Sequence, residues 1–296
     1  MPGRSAGTAE WDARLSVPGS PVCAPDWLAL REPADAAARA TELVEQARAH
    51  LAAAARPGVP TVIRDLGCGS GSMGRWLAGQ LRGPQHWILC DRDPVLLARA
   101  GAGMPSVAAD GAPVTARTWE GDLTGLRGAE LAGTSLVTAS AVLDLLTDEE
   151  VDGLADACVD TGCAALLTLT VIGQVEIDPP EPLDAEFAAA FDAHQRRSTG
   201  GRRLLGPDAG PAAVEAFTRR GAAVRTRPSP WRLGADQAEL AQEWLRGWIG
   251  AACVQRPELE RHAAAYLRRR LDACSAGELR VVVGHVDVLA LPAGAS

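Results

Sequence analysis

Lysine is absent from this sequence: all 29 basic residues are arginine. Schiff-base and pyridoxal-phosphate chemistry need a lysine amine, and a phosphate-binding P-loop needs a lysine to reach its phosphates, so all three are excluded. No apolar run approaches the ~20 residues that cross a bilayer. The first residues, MPGRSAGTAEWDARLSVPGS, lack the apolar core of a secretory leader. A cytoplasmic protein with no membrane partner is therefore expected. Seven cysteines, at 23, 68, 90, 158, 163, 253 and 274, show neither C-x-x-C spacing nor paired histidine ligands. They read as buried free thiols, and no metal site is expected. A net charge of -8 argues against the basic surface that a nucleic-acid partner requires.

What is present is enough apolar residue, 47% over 296 positions, for a sizeable core in one or two domains. The chain is organised around Val62 to Leu77, VIRDLGCGSGSMGRWL. Val62, Ile63 and Leu66 suggest a short buried strand; Asp65, Gly67, Gly69 and Gly71 then lead into a segment of helical spacing. Alternate glycines let a backbone turn with positive φ and approach a ligand that a Cβ would exclude. Gly69, Gly71 and Gly74 satisfy the G-x-G-x-x-G of a dinucleotide site.

The run that starts at Asp65, an acid followed by Gly67, Gly69 and Gly71, also resembles motif I of the class I S-adenosylmethionine (SAM) dependent methyltransferases. That resemblance implies a loop of Gly67, Cys68, Gly69 and Gly71 beneath the amino-acid end of SAM, with Asp65 helping to hold it. SAM would be the cofactor and S-adenosylhomocysteine (SAH) the product. It covers roughly residues 60 to 172.

Taken in order, apolar positions from Pro33 to Ala55 recur at helical spacing and predict one amphipathic helix. Before it, Trp11 and Trp27 suggest docking onto the body, over the ligand cleft. HWILC, residues 86 to 90, predicts a second strand that ends in Asp91, 20 positions beyond Gly71. An acid at that separation accepts ribose hydroxyls, with Arg92 beside it. A third strand from Val114 ends at Asp122, where the resemblance puts an acid and an apolar residue, Asp122 and Leu123, against the adenine. A fourth strand runs from 134 to Ser140, and Thr147 with Glu150 forms a capping box. A fifth, nearly continuous apolar strand spans 164 to 172, as in a sheet covered on both faces. Strands alternating with helices predict a doubly wound, Rossmann-like α/β fold of seven strands, its ligand at the carboxyl ends of the strands.

Beyond residue 172 a sixth strand is expected within 222 to 233 and a last, antiparallel one over 279 to 291. The expected division is an N-terminal segment and helix, 1–58, and a methyltransferase domain, 59–296. Insertions at about 173–206 and 234–275 are candidates for an acceptor cap. Asp178-Pro179-Pro180-Glu181 is similar to the base-gripping motif of amino-directed DNA methyltransferases, but follows the wrong strand and lacks the stacking aromatic.

The resemblance implies transfer of the SAM methyl group to a small molecule, at oxygen or nitrogen more often than carbon. RNA or protein methylation, or SAM binding without methyl transfer, are the alternatives. His194, at helical spacing from Phe187 and Phe191, and Asp144, in the loop after strand four, are the catalytic candidates. Arg196, Arg197, Arg202 and Arg203 around Gly200-Gly201 suggest a clamp for a carboxylate or phosphate. Trp244 and Trp248, four apart on one helix, suggest either packing or an aromatic wall for the acceptor. His285, inside the last strand, reads as structural.

Overall fold

A computed structural model describes residues 23–125 and 128–293. Trp11 lies outside them. Two helices come first, α1 (Pro25–Ala38) and α2 (Thr41–Ala54). The elements β1 (Thr61–Leu66), α3 (Ser72–Ala78), β2 (Gln85–Asp91), α4 (Pro94–Gly103) and β3 (Val114–Glu120) follow. Next are α5 (Gly128–Leu131), β4 (Leu136–Ser140), α6 (Asp148–Asp160) and β5 (Ala164–Asp178). Helix α7 (Asp184–Gln195) leads to a small hairpin, β6 (Ser198–Thr199) and β7 (Arg202–Arg203), and then to α8 (Ala209–Arg219). The chain closes with β8 (Ala223–Pro228), β9 (Trp231–Leu233), α9 (Ala238–Gln255), α10 (Glu260–Ser275) and β10 (Arg280–Leu291).

The sheet order is β3-β2-β1-β4-β5-β10-β8, with β9 pairing β10. Strands β1 to β5 run parallel, whereas β10 is antiparallel to β5, β8 and β9. This is the doubly wound α/β sheet with a reversed last strand that the sequence predicts. Alternation along β2 shows how it is covered: Trp87 and Leu89 join the cluster under α2, α3 and α4, and Ile88 and Cys90 join the one under α6 and α8. Both faces are dry, and the ends of the parallel strands are left for a ligand. A third cluster collects α1, α7, α9, α10 and β9. The first helix and the two inserted stretches thus pack as one group.

Three expectations about elements are corrected. The single N-terminal helix is two, because the chain turns extended at Arg39 and Ala40, where the Ala40 amide donates to the buried Asp287 carboxylate at 2.8 Å. The fifth strand does not stop at 172. It stays paired with β10 as far as Asp178, with two register shifts along β10, so the first insertion starts as sheet. The sixth strand is interrupted at Ser229, whose hydroxyl also donates to Asp287, leaving β8 and β9 as separate pieces.

Candidate active site

The glycine loop is held from three sides. Gly67, Gly69 and Gly71 have φ of 61°, 54° and 88°, the left-handed region where a side chain is strained. A Cβ on Gly71 would come within 2.9 Å of Ala100 Cα, and one on Gly67 within 3.1 Å of the Val142 side chain. From the end of β2, Asp91 accepts the Gly69 amide on Oδ2 at 2.8 Å and the Asp93 amide on Oδ1 at 3.0 Å. Asp93 in turn caps α4 by accepting the Val95 amide at 2.7 Å.

Beneath the loop Asp65 is 1% exposed. Thr138 donates its hydroxyl to Asp65 Oδ1 at 2.7 Å, and Oδ2 has no partner among the described residues. Burial raises this carboxyl to about 7, against the opposing pull of the Thr138 hydrogen bond and the Arg39 charge. A buried oxygen without a donor is a place for a ligand cation or N–H group.

A cavity opens over the loop at the strand ends. Nine of the ten sequence-predicted cofactor residues line it: Asp65, Gly67, Cys68, Gly69, Asp91, Arg92, Asp122, Leu123 and Ser140. Gly71 does not, and its part is to let the turn pass over Ala100. The third strand ends at Glu120 rather than Asp122, and Asp122 instead opens the next turn by accepting the Thr124 amide at 2.9 Å.

A second cavity adjoins the first, sharing Cys23, Arg31, Ala141 and Leu145 with it. Trp27, Phe191, Trp231, Trp244 and Trp248 form its walls, with Asp144, Gln195 and His285. Trp244 and Trp248 stack, ring centres 5.3 Å apart and 19° between planes. Burial raises the Asp144 carboxyl above the ordinary carboxylate range, despite the charges of Arg31 and Arg197. Burial and the Arg31 charge hold His285 down at about 3, so its ring is neutral. The two non-glycine residues with positive φ among those described, Ala141 at 54° and Leu169 at 55°, both line this cavity. They are tied together, since the Ala141 amide donates to the carbonyl of Thr168 at 2.9 Å. Asp287 accepts the Leu169 amide at 2.8 Å.

Sequence reasoning missed the charges that the N-terminal helices deliver. Arg31 forms an ion pair with Asp35 at 3.0 Å, and its guanidinium lies 4.9 Å from the centre of the Trp231 ring. Asp35 also accepts Trp231 Nε1 at 3.0 Å. Arg39, 3% exposed, donates to Ser72 Oγ at 3.3 Å and to Ser140 Oγ at 3.1 Å, while its Nε and Nη1 find no partner among the described residues. Burial pulls its proton affinity below that of a solvated guanidinium.

Neither cavity is lined by the four loop arginines or by His194. Arg196 pairs with Asp208 at 2.6 Å, and Arg202 donates from Nε to Glu150 Oε1 at 2.8 Å. Arg197 donates to the His194 carbonyl at 3.0 Å, and Arg203 is exposed. His194 is 3% exposed, on the packed side of α7 with Phe187 and Ala190, whereas Phe191 and Gln195 of the same helix reach the cavity. Among the described residues, no three His, Cys, Asp or Glu side chains are grouped to hold a metal ion. Among the same residues, no helix is long and apolar enough to cross a membrane.

No family model matches the chain, and no curated protein matches it. Solved structures resemble it at low identity. A SAM-dependent methyltransferase from Thiobacillus denitrificans in complex with SAH is 15% identical over 90% of this chain and 98% of its own, TM-score 0.44. One from Geobacter sulfurreducens, also with SAH, is 18% identical over 91% and 99%, TM-score 0.42. A cyclopropane synthase from Mycobacterium tuberculosis is 13% identical over 84% and 83%, TM-score 0.43. The functional reading therefore rests on the residues of the two cavities.

Proposed function

We propose that this chain transfers the methyl group of SAM to a small-molecule acceptor, with SAM in the first cavity and the acceptor in the second. The observation that carries the reading is the junction: two cavities at the carboxyl ends of the parallel strands that share Arg31, Ala141 and Leu145. A cofactor bound in one is thereby next to a molecule bound in the other.

The residues present fit SAM. The buried, unpartnered Asp65 Oδ2 suits the ammonium of an amino acid, and the backbone at Gly67 and Gly69 offers an approach that side chains there would fill. Asp91 has carboxylate lone pairs left after its two amide bonds and can accept ribose hydroxyls. Asp122 can accept from the adenine amino group, with Leu123 against the ring. When bound, SAM supplies a methyl group activated by a sulfonium.

The chain's own task is then largely positioning, an effect that contributes up to ~7–11 kcal/mol when reacting groups are held in near-attack geometry. Ala141 and Leu145 lie on the boundary between the cavities, and indole rings give the second an apolar wall. The Asp144 carboxylate, whose burial strengthens its hold on a proton, can take one from an acceptor O–H or N–H. An acidic chain and an acceptor cavity enclosed by indole rings favour a small molecule over RNA or protein.

The test is incubation with SAM and a mixture of small hydroxyl and amine compounds, followed by mass spectrometry for SAH and for products 14 Da heavier. SAH formed in step with a methylated product supports methyl transfer. SAM bound tightly with no SAH formed from any acceptor would favour a SAM-binding protein of the same fold.

A further inference from the structure

From the walls of the second cavity we infer that its occupant is a neutral, planar aromatic molecule with a protic O–H or N–H group. This names the acceptor class for the reading above and rests on it. Five of the chain's twelve Trp, Tyr and Phe residues line this one cavity, three of them on α9 and β9. Indole faces pack best against another flat π-system, offset or edge-on, and such pairs add ~0.5–1.5 kcal/mol beyond the area they bury.

Charge decides against the other classes. An anion entering the cavity would meet the Asp144 carboxylate, and Arg31, the one arginine among the described residues that line it, is already paired with Asp35. Burying an unpaired charge is costly. A cationic acceptor would use the indole faces, but the Arg31 guanidinium already lies over Trp231 at 4.9 Å and over Trp27 at 6.0 Å. A neutral ring avoids both conflicts.

The walls are not purely apolar, however. Gln195 Oε1, Trp248 Nε1 and His285 Nδ1 are each buried without a hydrogen-bond partner among the described residues. Trp248 is 2% and His285 4% exposed. Polar groups left over on three residues of one aromatic cavity fit a ligand with both donor and acceptor edges. Asp144 adds an acceptor for the protic group. The left-handed backbones of Ala141 and Leu169, in the same walls, are strain of the kind kept at ligand-facing positions.

The test titrates 2-naphthol into the full chain, with and without SAH, by calorimetry and by quenching of tryptophan fluorescence. Decahydro-2-naphthol, 6-hydroxy-2-naphthoate and benzyltrimethylammonium serve as the saturated, anionic and cationic comparisons. The expected result is 1:1 binding of 2-naphthol, at least tenfold tighter than any of the three. Val171→Phe, which fills the cavity, and Gln195→Leu, which keeps its volume, should each weaken 2-naphthol at least threefold while SAH affinity and the melting curve hold. Equal or tighter binding of a comparison compound, or 2-naphthol binding that ignores both variants, would overturn the assignment. SAH bound without selective 2-naphthol binding would overturn it alone. Selective 2-naphthol binding without SAH binding would overturn the methyl-transfer reading and support the aromatic site.

Discussion

Thr138 satisfies only one oxygen of the Asp65 carboxylate, leaving Oδ2 buried beneath the glycine loop with no donor among the described residues. The cost falls on the ionised form, and the carboxyl rises from its ordinary 3.8 to about 7. A raised folded-state value means that the native protein holds a proton the unfolded chain has released. Stability from this group is full below about 4, declines as pH rises toward 7, and is level above it. Melting of wild type against Asp65→Asn should show the wild type losing ground across that window only. If a SAM or SAH ammonium meets Oδ2, binding favours the carboxylate and releases a proton below pH 7. SAH affinity should then climb up to pH 7 and flatten, and calorimetry in buffers of different ionisation heat should count the proton. Asp65→Asn should abolish both effects.

Asp91→Ala should weaken SAM by at least tenfold. Charge-assisted hydrogen bonds contribute ~1.5–3 kcal/mol each, and about 1.4 kcal/mol is a factor of ten. The same carboxylate holds the Gly69 and Asp93 amides, so the loop should also loosen, seen as faster hydrogen exchange at Gly69. Asp122→Ala should cost less affinity, because Asp122 is exposed and Leu123 remains against the ring. Calorimetry with wild-type affinity in Asp91→Ala would remove Asp91 from the ribose role.

Gly71→Ala tests the turn without touching a cavity residue. The substitution puts a Cβ 2.9 Å from Ala100 Cα at a φ of 88°. Strain of this kind costs about 1–3 kcal/mol, which for a chain of this size lowers Tm by several degrees. A melting curve superimposable on wild type would show that the loop has another stable path.

Asp144 and His194 are separated by their surroundings. Asp144→Asn should lower turnover by about 10²–10⁴ and remove the acidic limb of the pH-rate profile, with SAM affinity unchanged. His194→Gln, on the packed side of α7, should lower Tm and leave the profile alone. A lost limb in His194→Gln with an intact one in Asp144→Asn would reverse the assignment.

Arg202→Ala should act on stability. Arg202 and Glu150 pair across half-buried surface, and Glu150 also closes the capping box of α6 by accepting the Thr147 amide. Tm should fall, while KM for the acceptor stays within about twofold at low and high salt, a span of ~0.4 kcal/mol. A KM rise sensitive to salt would restore the arginine clamp for an anionic acceptor.

The glycine loop, Asp65, Asp91 and the strand order were legible because each is written in one short stretch: a buried run, an acid and a turn. Neighbouring strand ends then meet by the rules of a parallel sheet. The second cavity was legible only in part. Trp244 and Trp248 share a helix face, but Arg31, Gln195, Trp231 and His285 come from four other elements, joined only by packing. The partners of the arginine cluster were illegible for the same reason: Asp208 and Glu150 lie outside it, and composition does not say which acids a loop will meet. Leu169 carries no local signal for a left-handed backbone, since the device that holds it, Asp287, is 118 positions away.

The central claim is tested most directly by titrating SAH and NAD⁺ into the purified chain in parallel, by calorimetry at pH 7.5. One SAH per chain, with micromolar or tighter affinity reduced at least tenfold by Asp91→Ala, and no heat from NAD⁺, is the predicted result. Saturable NAD⁺ binding lost in Asp91→Ala, with SAH silent, would contradict it and make the loop a dinucleotide site.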